Sequence, residues 1–165
     1  MKCWYLIHSK AQQEHLAKEN LERQGYDIYL PLGLIRRRRH GRAYTQPGPM
    51  FPRYLFIRLA AGSDDWGPIR STLGVSTLVR FGQVPARVPD QLVEVLKSKE
   101  DTHGIQVLAY NVLKNGQKIR IAEGPFEGYE GLFEAKTGRD RVVILMKILE
   151  KQARLEIEQA KIEAI

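Results

Sequence analysis

Only one cysteine, Cys3, stands in the 165 residues, so no disulfide can form within the chain. A reducing compartment, the cytoplasm, is the expectation. Long apolar runs are also missing: Val142 to Met146 is five residues, against the roughly 20 that a membrane-spanning helix needs. The opening MKCWYLIHSK has a brief apolar stretch with no small-residue cleavage site after it. It reads as a β-strand rather than a signal peptide. Signatures of catalysis and metal binding are absent as well. His8, His15, His40 and His103 are scattered, and there is no H-E-x-x-H, second cysteine, P-loop, G-x-G-x-x-G or G-x-S-x-G. Asp64-Asp65 reads as an exposed loop pair. The chain is therefore expected to be no enzyme and to use no cofactor or metal.

Acidic residues are scarce in the first part. Residues 1–100 hold 16 Lys/Arg against 9 Asp/Glu, a net of +7, whereas residues 101–165 hold 10 of each. The whole excess of positive charge lies in the first part. Such a half suits a polyanionic neighbour, with nucleic acid the first candidate, or serves solubility alone.

What is present reads as two modules. Residues 3–9 form a strand of aromatic and aliphatic side chains. Ser9 and Gln12 match a capping box for a helix running to Gln24, with Gly25 as its stop. Its apolar stripe, Leu16, Ala17 and Leu21, is thin. Residues 26–32 make a second strand. Arg36 to Arg39 and Arg42 fall in a projecting hairpin turning at His40-Gly41; four arginines there suit a phosphate-facing tip or a solvated surface. Residues 50–59 are strongly β, with a bulge or edge at Pro52. A strand at 76–82, an extended stretch and a short helix capped by Asp90 follow, the helix with Leu92, Val93 and Leu96 on one face. Residues 101–114 read as a linker. Residues 116–135 alternate, turn at Gly124-Pro125 and bend at Gly128 and Gly131, as a small curved barrel does. The order implies an α+β domain (1–100) with an antiparallel sheet flanked by helices, then a small C-terminal domain (115–165).

The segment GQKIRIAEGPFEGYEG resembles a KOW motif. WYLIHSK, FPRYLFIRL, IRSTLGVSTLVRFG and VPARVP resemble, in order and spacing, the N-terminal domain of the NusG family. GVSTLVRFG looks more like the family's RfaH-like branch than like general NusG. The resemblance covers nearly the whole chain. It implies a transcription elongation and antitermination factor that binds the clamp helices of the RNA polymerase β′ subunit, contacts the β subunit and the non-template DNA strand, and suppresses pausing. It further implies a monomer whose C-terminal domain recruits a small-subunit ribosomal protein and so couples transcription to translation. Phe51, Tyr54, Phe56 and Phe81 match the polymerase-docking surface. Lys10, Arg23, Gln24, Arg70, Thr72, Gly74 and Val75 match positions near the displaced DNA strand, where cations attract phosphate and an amide can read a flipped base. Phe126, Leu145, Ile148 and Leu149 match the interdomain or ribosomal-partner surface. One departure is clear: where RfaH-like factors carry His-Thr-Thr for the β-subunit contact, this chain has Asp65-Trp66-Gly67-Pro68. A second class, a KOW-type RNA-binding or ribosome-associated protein without a polymerase role, shares the C-terminal motif.

The residues leave two points open. On strand 53–58, Tyr54 and Phe56 share one face, Leu55 and Ile57 the other. Both faces are apolar, so one is core and the other an interface; the resemblance points to Tyr54 and Phe56 as the interface. The C-terminal segment carries a conflict. A barrel would take strands at 142–146 and around Leu155 and Ile157. Yet residues 145–165 contain no Gly or Pro, and 17 of the 21 are strong helix formers. Barrel and helical hairpin both remain, which suits a two-state domain that masks Phe51, Tyr54 and Phe56 when helical.

Overall fold

A computed structural model describes residues 2–60, 66–106 and 129–163. The first strand, β1 (Lys2–Ser9), lies inside the main sheet. Strand β5 (Tyr54–Ala60) pairs antiparallel along one side, from Lys2 opposite Ala60 to His8 opposite Tyr54. The short β2 (Asp27–Tyr29) extends the sheet beyond β5. On the other side of β1 stand β6 (Val75–Leu78) and β9 (Arg87–Val88). Strand alternation sorts the side chains into two cores. Trp4, Leu6 and Phe56 point to one, with Tyr54 packed against it; Ile7, Leu55, Ile57 and Leu59 point to the other.

The second face is covered by α1 (Glu14–Arg23), through Ala17 and Leu21, and by Ile69 of α2 (Gly67–Ser71). The expected capping box does not form. Ser9 is buried at the end of β1, and its hydroxyl donates to the Lys10 carbonyl. The chain instead reverses through Gln12, at φ +60°, and α1 begins at Glu14 with no side-chain cap. Closing β1 against its neighbours takes Ser9 out of reach of the helix.

The anticipated strand at 26–32 is split by Leu30-Pro31. Its second part opens β3 (Leu32–Arg39), which pairs with β4 (Arg42–Pro49) from Leu32 opposite Pro49 to Arg39 opposite Arg42. His40 and Gly41 make the turn at φ +53° and +76°, the positive pair a two-residue type I′ hairpin needs. Pro52 belongs to a turn before β5, closed by the Tyr54 N–H donating to the Phe51 carbonyl. A small hairpin of β7 (Arg80–Phe81) and β8 (Val84–Pro85) leads to β9.

Helix α3 (Asp90–Ser98) buries Leu92, Val93 and Leu96 in the first core. Asp90 sits in its first turn, where a negative charge meets the helix dipole, but makes no side-chain cap. Within the segment read as a linker, Ile105 and Gln106 form β10 (Ile105–Gln106), parallel to β3 and buried. Gln106 Nε2 donates to the Leu96 carbonyl and to the Tyr29 hydroxyl. Most of the KOW-like stretch, including Phe126, lies outside the described residues. Beyond it come a short helix, α4 (Glu130–Glu134), and a long one, α5 (Gly138–Glu163). Both potential barrel strands, residues 142–146 and the Leu155/Ile157 alternation, lie within α5. Residues 141, 145 and 149 fall one turn apart and are all buried, so the helical stripe prevails here.

Candidate functional site

The aromatic face of β5 is the centre of the first core. Phe51 and Phe56 are fully buried, their rings edge to face at 6.0 Å. Tyr29 stacks on Phe56 at 6.0 Å, and Trp4 meets Tyr29 edge-on at 6.5 Å. Lys97 Nζ lies over both Trp4 and Tyr29, at 5.3 and 5.2 Å from their ring centres. Tyr54 is half-buried, with the His8 ring 4.9 Å away. Burial, and then the Arg53 charge, hold the His8 pKa below its ordinary value. Phe81 packs at the edge of the same cluster.

The covering layer is α4 and α5. Tyr129, Leu132, Phe133, Leu145 and Leu149 join Phe51 and Phe56 in one buried cluster, with Ile148 partly buried against it. Each such side chain removed from water contributes about 2 kcal/mol. Arg141 is buried too. Its Nε donates to the Met50 carbonyl at 2.8 Å and its Nη1 to the Ala135 carbonyl at 3.1 Å. Gly138 lies against Pro52, so closely that a Cβ there would stand 2.5 Å from Pro52 Cγ. Near the far end of the sheet Arg87 Nη1 pairs with Glu156 at 3.4 Å. Strand alternation put Tyr54 and Phe56 on one face, and the resemblance added Phe51 to that surface and gave Leu145, Ile148 and Leu149 an interdomain or partner role; all six lie in or against the first core cluster. Sequence reasoning missed Arg141, whose side chain could not be distinguished in sequence from the other charged residues of α5.

A second group gathers where α1 meets the α2–β6 loop. Gln24 Nε2 donates to Thr72 Oγ1 at 2.8 Å, and Thr72 Oγ1 donates to the Pro68 carbonyl at 2.8 Å. The Lys10 N–H donates to the Gly74 carbonyl at 2.9 Å. Gly74 has φ +96°, and a Cβ on it would meet the Ala17 nitrogen at 2.8 Å, so only glycine lets the loop approach α1. Lys10, Arg23, Gln24 and Arg70 are exposed; Arg23 pairs with Glu19 at 2.7 Å. Thr72 and Val75 have buried side chains, Val75 within the second core, so at these two positions only backbone is on offer. Two residues of this surface escaped the sequence reading. Asn20 Nδ2 donates to the Leu73 carbonyl at 3.1 Å, and Leu73 is 65% exposed. The spacing of Asn20 one turn before Gln24 is the signal that could have found it.

At the departure from the RfaH-like pattern, Trp66 packs edge to face on Tyr5 at 4.9 Å and leads into α2, while Asp65 lies outside the described residues. Among the described residues no group of three or more His, Cys, Asp or Glu is placed to hold a metal. No helix among them is long and apolar enough to cross a membrane.

The family model described as transcription termination factor nusG matches residues 2–97, which carry the main sheet, both candidate surfaces of the first module and most of α3. The transcription termination/antitermination protein NusG of Thermus thermophilus is 24% identical, over 96% of this chain and 96% of its own length. That of Neisseria meningitidis is 23% identical, over 99% and 98%. A solved chain described as "Domain interaction in Thermotoga maritima NusG" is 24% identical with a TM-score of 0.43, covering 56% of this chain and 54% of that one. With more than half of its residues matched by the family model, the chain belongs to the NusG family of transcription termination and antitermination factors.

Proposed function

We propose that this protein is an RfaH-like antitermination factor held in a masked state by its own C-terminal helices. The observation that carries the reading is the burial of Phe51 and Phe56 beneath Phe133, Leu145 and Leu149. In this reading the aromatic face, with Tyr54 and Phe81, docks on the clamp helices of the polymerase β′ subunit once α4 and α5 leave it. A helical hairpin is held there by apolar burial and ring edges. The contact to the β subunit falls to Asp65-Trp66-Gly67-Pro68, with aromatic rather than hydroxyl chemistry. Lys10, Arg23 and Arg70 attract the phosphates of the non-template strand, while Gln24 and the backbone at 72–75 contact a displaced base. Asn20 and Leu73 join that surface. The factor then suppresses pausing, working as a monomer in the cytoplasm without cofactor or catalytic step. The released C-terminal segment refolds as a KOW barrel and recruits a small-subunit ribosomal protein, coupling transcription to translation.

Binding to purified bacterial elongation complexes tests this. Residues 1–100 and the full chain are titrated separately, with and without a single-stranded bubble. The expected result is tight binding by the fragment and weak binding by the full chain, with an Arg141→Ala full chain in between. Equal binding by all three would remove the masking. No binding by any, together with binding to ribosomal RNA, would favour the KOW-type RNA-binding alternative.

A further inference from the structure

Neither surface described so far uses the β3–β4 hairpin. Between Asp27 and Asp64 the sequence holds seven arginines and no Asp or Glu. Five of them, Arg36 to Arg39 and Arg42, stand on this hairpin. Every side chain from Arg36 to Pro47 is exposed. Arg37, Arg38, Arg39 and Arg42 enter no ion pair among the described residues. The ribbon is nevertheless regular, with unbroken register and a tight turn.

The register divides the cations between the faces. Residues directly opposite share a face, and successive residues alternate. Arg37 with Tyr44, and Arg39 with Arg42, stand on one face; Arg36 with Thr45, and Arg38 with Ala43, stand on the other. Arg39 opposite Arg42 is a like-charged pair, which destabilises a hairpin. No carboxylate of the ribbon offsets it, so an external polyanion would. At its base the ribbon borders a cleft of about 570 Å³, lined among others by Arg36, Arg37, Lys136 and Glu14.

Arginines on both faces suit an anion that walls the ribbon on two sides. A single phosphate row would meet one face only. A groove of duplex DNA has two rows, and the B-form major groove, about 12 Å wide, admits a two-stranded ribbon. A β-layer with its side chains is about 10 Å thick. The deep, narrow major groove of A-form RNA does not admit it. We propose that the β3–β4 hairpin enters the major groove of double-stranded DNA tip first, with Arg36 and Arg38 facing one phosphate row and Arg37, Arg39 and Arg42 the other. This is a second nucleic-acid surface, apart from the one around Lys10 and Gln24, and it does not rest on the polymerase reading.

The test is fluorescence anisotropy of the full chain with a labelled B-DNA duplex across a salt series. The matching single strand and an RNA duplex serve as rival ligands, and anionic phosphatidylserine vesicles as competitor. Each phosphate that a cation no longer neutralises lowers the slope of log K against log salt by about 0.9. Arg36→Gln with Arg38→Gln should therefore lower it by about 1.8, and Arg37→Gln with Arg39→Gln and Arg42→Gln by about 2.7. Replacing all five by Lys should keep the slope, and serves if a Gln variant misfolds by circular dichroism. Lys151→Gln with Lys161→Gln, exposed on α5 and outside both surfaces, should leave duplex binding unchanged. An unchanged slope in the Gln variants, or a reduced slope from one face alone, would overturn groove entry. So would equal affinity for the RNA duplex or the single strand, or displacement by the vesicles.

Discussion

Arg141 of α5 reaches across to the turn before β5 and donates its Nε to the Met50 carbonyl at 2.8 Å. The residue accepting that bond is the neighbour of Phe51, so the same side chain that anchors the helix also closes the lid over the aromatic face. A buried guanidinium is stable only while its donors are met. The two carbonyls it satisfies belong to different modules, one before β5 and one at the end of α4.

Replacing Arg141 by Met should therefore loosen the lid. Two charge-assisted bonds are removed while the apolar stem is kept, and each such bond contributes about 1.5–3 kcal/mol. Hydrogen exchange should show faster exchange across α5, with β1 and β5 unchanged. Unaltered protection of α5 would mean that apolar packing alone holds it.

Gly138→Ala should act through shape rather than charge. Its new methyl would lie 2.5 Å from Pro52 Cγ, a ring that cannot swing aside. Overpacking of this kind costs about 1–3 kcal/mol. Gly131→Ala is the control, since its Cβ would meet the flexible end of Ile144 at 3.4 Å. Thermal melts should show a clear fall for the first and little or no change for the second.

Gly74→Ala should damage the polar surface from within. A side chain there meets the Ala17 backbone at 2.8 Å and forces φ +96° on a residue that avoids it. The loop must then move off α1, breaking the bonds of Asn20 and Gln24 to Leu73 and Thr72. Stability should fall by about 2 kcal/mol or more in a urea titration, and single-stranded DNA binding with it. Gln24→Ala should weaken DNA binding at a smaller cost in stability, about 1 kcal/mol for the lost bond to Thr72.

His8 predicts a pH dependence. Its folded pKa lies below the ordinary 6.5, through burial first and Arg53 second. The unfolded chain thus binds the proton more readily than the folded one. Stability is lost as pH falls from about 6.5 towards the folded pKa, and the loss is complete below that pKa. His8→Phe should keep the ring contact with Tyr54 and flatten this limb in urea titrations at stepped pH. An equal acid slope in the variant would assign the effect to other groups.

Much of the fold could be read from residue order. The alternation at 54–57 separated Tyr54 and Phe56 from Leu55 and Ile57, and the two cores divide along that line. The His40-Gly41 turn was legible because few residues accept two successive positive φ angles. The start of α1 was not. A capping box is a local rule, and the pairing of β1 with β5 and β6 took Ser9 out of the position the rule assumes. Arg141 was hidden for a related reason: burial of a charge depends on carbonyls distant in the chain, and periodicity does not record them.

The C-terminal segment shows most clearly where each level decides. Sequence alone determined that residues 145–165 could form a helix, that the strand at 54–57 had two apolar faces, and that positive charge gathers in the first hundred residues. These follow from propensity, side-chain alternation and composition, which need no partner. Only the tertiary structure decided that the helix forms over Phe51 and Phe56 and that Arg141 reaches Met50. A segment with two local solutions takes the one whose apolar stripe finds a surface to bury, and that surface lies some ninety residues away in the chain.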